Sequence, residues 1–129
     1  MEVLTKAGIT TMLPVKDMER AGKFYENNLG LKSCGATTDG FLLFEAGNGA
    51  QIGLIPKDEG TKAEHTALSF EVNNIEEAIS QLQDAGVVFE EYDFPDLKTV
   101  NHIRTAGPEK TAWFKDTEGN YLCIHEVVE

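Results

Sequence analysis

The side chains best suited to hold a soft metal or to act as a nucleophile and its base are two cysteines, Cys34 and Cys123, and three histidines, His65, His102 and His125. With no CxxC pair and only two cysteines there is no disulfide framework or thiolate cage, so both are expected as reduced thiols. Cys123 and His125 stand two residues apart and share one face of a strand, which suggests a thiol nucleophile with an imidazole base. Sharing a face does not by itself bring two groups within hydrogen-bond reach, and a buried thiol is usually inert. His102 lies in a polar connection and is expected as a solvated loop residue.

Charge narrows the partners. Acidic residues number 22 against 11 basic ones, a formal net charge of −11 in 129 residues. Phosphate backbones would be repelled, so nucleic acid is not an expected partner. The same balance focuses negative potential, which suits a cationic ligand, although solubility explains it equally well. No apolar run approaches the roughly 18 residues of a membrane span. The start of the chain lacks the basic-then-apolar layout of a secretion signal, so no membrane partner and a cytoplasmic location are expected.

The elements that must position these residues follow from periodicity. Residues 8–15 read as a strand, and Asp17 to Asn28 as a helix capped by Asp17, stopped at Gly30, with Met18, Ala21, Phe24 and Tyr25 as its apolar stripe. Strands at 31–36, 41–46 and 51–55 follow, joined through Asp39-Gly40 and Asn48-Gly49. The second half repeats the order: strand 66–72, a helix capped by Asn74 with Glu77 closing a capping box, then strands 87–92, 111–115 and 121–127. Val15, Asp17, Met18 and Ala21 superpose on Val72, Asn74, Ile75 and Ala78 at a constant offset, an architectural repeat with little identity. The second half carries a longer connection, Asp93 to Pro108, expected as a partly ordered lid rather than a disordered loop.

Two stretches, MLPVKDMERAGKFYENNLGLK and WFKDTEGNYLCI, with SFEVNNIEEAISQLQDAGVVF between them, resemble the vicinal oxygen chelate superfamily of glyoxalases, bleomycin resistance proteins and extradiol dioxygenases. The resemblance implies one α+β domain over 1–129. Two βαβββ modules, about 7–56 and 65–128, form a curved, incompletely closed mixed β-sheet around a cleft, with helices on the outer face. Metal ligands in that family come from positions that fall here on Thr10, Gly53, Ala67 and Cys123. Gly53 and Ala67 have no ligand atom, so no metal and no cofactor is expected. With Ala67 and Cys123 level, His65 and His125 lie about 7 Å to either side and cannot share an ion.

Hairpin pairing completes the expected pocket. A three-residue loop after Asp116 sets Trp113 opposite Cys123, Lys115 opposite Tyr121 and Thr111 opposite His125. A two-residue Asn48-Gly49 turn sets Phe44 opposite Gly53 and Leu42 opposite Ile55. Two ring faces on an apolar floor, with Gly53 leaving space, suit an aromatic ligand. Phe24, Tyr25, Phe70 and Phe114 are expected as core. The expected ligand-binding set is Thr10, Leu42, Phe44, Gly53, Ile55, His65, Ala67, Trp113, Tyr121, Cys123 and His125, with no catalytic residue assigned. The leading expectation is a metal-free binding protein of the bleomycin-resistance type, a homodimer that sequesters a drug-like, aromatic or cationic small molecule. The alternatives are an enzyme using Cys123 with His125 or His65, or a metalloenzyme with displaced ligands among Glu45, Glu64, His65 and Glu126.

Overall fold

A computed structural model describes residues 3–128. The chain divides at Thr61/Lys62 into two compact units. No helix among the described residues is long and apolar enough to cross a membrane.

The first unit runs β1 (Thr10–Val15), α1 (Met18–Lys23), a π-helical turn (Phe24–Asn28), β2 (Lys32–Ala36), β3 (Leu42–Glu45) and β4 (Gln51–Pro56). Asp17 starts α1 because its carboxylate accepts from the Arg20 N–H at 3.0 Å. The helix widens at its end, where Leu29 N donates to Phe24 O, and Gly30 at φ +71° turns the chain out. Strands run in the order β1-β4-β3-β2, with β1 and β4 parallel and the others antiparallel. Leu13, Val15, Ile52, Leu54 and Phe44 are buried with Ala21, Phe24 and Tyr25 as the core.

The second unit runs β5 (Thr66–Glu71), α2 (Ile75–Asp84), β6 (Asp93–Phe94), β7 (Leu97–Lys98), β8 (Arg104–Ala106), β9 (Glu109–Lys115) and β10 (Tyr121–Val127). Its main sheet has the order β5-β10-β9-β8, the same connectivity as the first, and β6 and β7 form a separate small ladder. Asn74 caps α2 by accepting from Glu77 N at 3.0 Å, and Glu126 accepts from Ile75 N at 2.7 Å. The core is Ile75, Ile79, Val87, Phe89, Ala112, Phe114, Leu122 and Ile124. Phe70 is half-buried. Both units together make an α+β fold of open mixed sheets.

Two expectations change here. Residues 87–92 make only a single bridge, Phe89 to Phe114, because the place beside β9 is taken by β8 further along the chain. The connection 93–108, expected as partly ordered, carries β6, β7 and β8. Glu91 anchors it by accepting from the Thr99 hydroxyl at 2.6 Å and from His102 N at 2.8 Å. Asn101 and His102 both take positive φ in a two-residue turn closed by the Val100–Ile103 bridge. That turn folds the His102 ring back, so it is half-buried rather than solvated. Its Nδ1 lies 3.3 Å from Glu90 O, and its Nε2 lies 3.4 Å from the Gln83 amide on α2.

Candidate functional site

The face of the second sheet away from α2 carries the candidate site, in rows set by strand pairing. The β9–β10 hairpin has the expected register: Lys115 pairs with Tyr121, Trp113 with Cys123 and Thr111 with His125. Asp116 fixes this turn, since its buried carboxylate accepts from Glu118 N and Asn120 N at 2.8 Å and from the Asn120 amide at 2.9 Å. Gly119 supplies the left-handed position at φ +90°.

The β10–β5 pairing differs from expectation. Cys123 is level with Ser69, not Ala67, and a bulge puts Tyr121 level with Thr66 and Leu122 with Leu68. Ala67 is the extra residue, half-buried and unmatched on β10. In the first unit Gly53 is level with Met12, and Thr10 with Gln51. Cys123 is thus displaced by two residues along β5, a shift that keeps its side chain on the same face, so alternation does not select against it.

Beside Trp113 lies a cavity of about 430 Å³. Tyr92, Phe94, Trp113 and Tyr121 supply its aromatic walls, and Glu64, His65, Thr66 and Leu97 complete it. The Trp113 indole N–H donates to the Thr66 hydroxyl at 3.0 Å, and Tyr92 meets the indole edge-on at 5.7 Å between centroids. Lys115 Nζ sits 5.0 Å from the Tyr121 ring centre and 3.6 Å from Glu90. Tyr121 and then Glu90 hold the Lys115 ammonium above its ordinary pKa, while burial and then the Glu90 charge push the Tyr92 phenol up. Phe94 and Leu97 come from the long connection, which therefore does line a cavity.

One row further, Cys123 Sγ donates to Ser69 Oγ at 2.9 Å. The Ser69 hydroxyl hydrogen-bonds His125 Nδ1, and His125 Nε2 lies 3.8 Å from Glu71. Cys123 is buried, and that burial pushes its thiol pKa up against the lowering effect of the Ser69 bond. His125 thus reaches Cys123 only through Ser69, a residue that face parity alone could not mark because it depends on the parallel register. His65 and His125 lie on opposite sides of the Cys123 row.

The first unit needs a correction. The β3–β4 loop has three residues, Gly47 to Gly49, closed by Ala46 N donating to Ala50 O at 2.9 Å. One extra loop residue shifts the ladder by one and flips every side chain. Leu43, not Phe44, is opposite Gly53, and Leu42 is opposite Leu54 rather than Ile55. Phe44 is therefore a core residue, 5.9 Å from the Tyr25 ring, and Leu42 leans on Gly22 of α1. Thr10, Gly53 and Ile55 do share the open face, with Met12 and Leu43. The space over Gly53 is filled, since a Cβ there would stand 2.6 Å from Met12 Sδ.

The donor chemistry does not fit a divalent metal at the family's ligand positions. Gly53 and Ala67 have no donor, the Thr10 hydroxyl donates to Gln51 at 3.2 Å, and the Cys123 thiol is held protonated by burial. Of the displaced candidates, Glu126 caps α2 and Glu45 pairs with Lys32 at 3.7 Å. Among the described residues no three of His, Cys, Asp and Glu are grouped to hold a metal ion.

The sequence model described as "Glyoxalase/Bleomycin resistance protein/Dioxygenase superfamily" matches residues 9–124. No curated protein matches the chain. Among solved structures, TnmS3, an antibiotic binding protein from Streptomyces sp. CB03234, is similar at TM-score 0.72 and 19% identity, over 95% of this chain and 96% of its own. A superfamily member from Sphaerobacter thermophilus DSM 20745 has TM-score 0.72 and 22% identity, over 93% and 96%. Lactoylglutathione lyase from Agrobacterium tumefaciens has TM-score 0.69 and 15% identity, over 94% and 93%. At these identities the likeness is one of fold, which serves both binding and catalysis.

Proposed function

The chain belongs to the Glyoxalase/Bleomycin resistance protein/Dioxygenase superfamily, and within it we propose that it is a metal-free binding protein for an aromatic small molecule. The observation that carries this reading is the cavity walled by Tyr92, Phe94, Trp113 and Tyr121. Four rings offer stacking and edge contacts to a flat ligand. Absence of a workable donor set at Thr10, Gly53, Ala67 and Cys123 supports binding over metal chemistry. TnmS3 is an example of this fold in an antibiotic binding protein. The protein acts as a homodimer, in which a two-fold partner covers strand edges left open by each sheet.

The test is a ligand screen followed by the fluorescence of Trp113, the only tryptophan in the chain. Aromatic ligands should quench it saturably, and Trp113→Ala should abolish their binding in titration calorimetry. Light scattering should report twice the mass of one chain.

A second reading is favoured by the Cys123–Ser69–His125 hydrogen-bond chain with Glu71 beyond it. Such a chain can pass a proton from a thiol or hydroxyl to an imidazole, as general base catalysis requires. Turnover of a bound ligand that is lost in both Ser69→Ala and His125→Asn, with binding retained, would favour this enzyme reading.

A further inference from the structure

Arg104 is one of two arginines in a chain whose acids outnumber its bases two to one. It is half-buried on β8, yet among the described residues its guanidinium forms no ion pair and no hydrogen bond. Pairing sets it directly opposite Thr111, which is itself opposite His125, so Arg104, Thr111, His125 and Glu71 form one row across the sheet. That row shares its face with Trp113 and lies two residues along β9 from it, about 7 Å.

The other charges on this face do not neutralise Arg104. Glu109, diagonal to it and opposite Ala106, is exposed and makes no ion pair with it. Glu71, at the far edge of the row, faces His125 Nε2 at 3.8 Å, and Lys115 is taken by Glu90. The hydroxyl of Thr111, the residue opposite Arg104 on β9, also has no partner among the described residues. A guanidinium in partial burial gains most from a planar two-oxygen acceptor, which its fork meets with two parallel N–H bonds, and a neighbouring hydroxyl can donate a third.

From this row we infer that Arg104 and Thr111 form a carboxylate subsite, so the ligand is an aromatic carboxylic acid whose ring meets Trp113 and whose acid group reaches one row further. This rests on the proposed aromatic-binding function. Arg104 places a positive charge on this face of a protein whose net charge is −11, and it orients the ligand.

The experiment is titration calorimetry of the full chain with 4-(2-naphthyl)butyrate and with its primary amide, which keeps ring and length but not charge. The acid should bind at least about tenfold tighter than the amide, the effect of a charge-assisted hydrogen bond. Arg104→Gln should remove that difference, with the acid no longer binding tighter than the amide. Arg104→Lys, which keeps the charge and loses the fork, should restore part of it. Lys23→Gln, which removes a positive charge from α1, should leave both affinities unchanged. Equal binding of acid and amide, or an acid preference that survives Arg104→Gln, overturns the subsite while leaving the aromatic pocket standing. Failure of both probes to bind, or binding that survives Trp113→Ala, overturns the aromatic pocket and the subsite with it.

Discussion

Trp113 on β9 and Thr66 on β5 are joined across the intervening strand β10 by a 3.0 Å hydrogen bond from the indole N–H to the threonine hydroxyl. The bulge at Ala67 makes this possible, because it brings Thr66 level with Tyr121. The ring is thus fixed by a polar contact rather than by core burial, and it remains half-buried at the cavity.

Trp113→Ala should therefore separate binding from folding. A buried tryptophan truncated to alanine costs about 3 to 5 kcal/mol. With one face open, Trp113→Ala should cost about 1 to 2 kcal/mol in urea melts, close to one hydrogen bond and partial area, while aromatic binding is lost. Thr66→Val should cost about 1 kcal/mol and weaken binding less, since the ring stays. An insoluble Trp113→Ala protein would make it a core residue and remove it from the site.

Gly53→Ala should be tolerated despite the 2.6 Å approach of its Cβ to Met12 Sδ. The obstructing atoms, Sδ and Cε of Met12, are the end of a flexible side chain that is 41% exposed and can swing aside. The melting temperature should move by no more than a few degrees, and the double variant Met12→Ala, Gly53→Ala should not recover stability beyond Met12→Ala alone. A large loss in Gly53→Ala would mean that Met12 is locked in place.

How far the sequence could be read depended on what sets each register. The β9–β10 pairs were legible because Asp116 and Gly119 define one loop length, and every expected partner of Trp113, Tyr121 and His125 is found. The β3–β4 pairs were not, because Gly47-Asn48-Gly49 fits a two- or three-residue turn equally well, and the choice decides whether Phe44 faces the open side or Tyr25. Parallel pairs were least legible. No turn joins β5 to β10, so Ser69 at Cys123, and Thr66 at Trp113, depend on a crossover and a bulge without a local signature. Arg104 stood in a presumed lid, and only its pairing with Thr111 brings it onto the sheet. Helix starts at Asp17 and Asn74 were legible from the caps themselves.

Asp116→Ala should be among the most destabilising single changes outside the apolar core. It strands the N–H groups of Glu118 and Asn120 and the Asn120 side-chain amide, which is buried. A loss of about 2 to 3 kcal/mol is expected in denaturant melts, and Asp116→Asn should recover part of it by keeping one acceptor. Because this turn sets the Trp113–Cys123 register, ligand affinity should fall in parallel with stability.

Chelator treatment should leave the melting temperature unchanged. Structural zinc contributes on the order of 10 kcal/mol in small domains, so a metal required for folding would be obvious in a thermal scan. A clear drop on chelation, restored by one divalent ion, would overturn the metal-free reading.

Alkaline pH should destabilise the fold through Cys123. Burial raises its thiol pKa above the ordinary 9.0, so the folded state holds the proton after the unfolded chain has released it. Stability is then complete below about pH 9 and falls as pH rises through the folded value, with Tyr92, also raised from 10.0, adding a loss of the same sign. Urea midpoints between pH 7 and 11 should trace this limb, and Cys123→Ser should make its first part shallower. Consistently, a thiol reagent at pH 7.5 should modify exposed Cys34 rapidly and Cys123 only on unfolding. Rapid native labelling at Cys123, unaffected by Cys34→Ser, would mean the Ser69–His125 chain outweighs burial and lowers the thiol pKa, the behaviour required of a catalytic nucleophile.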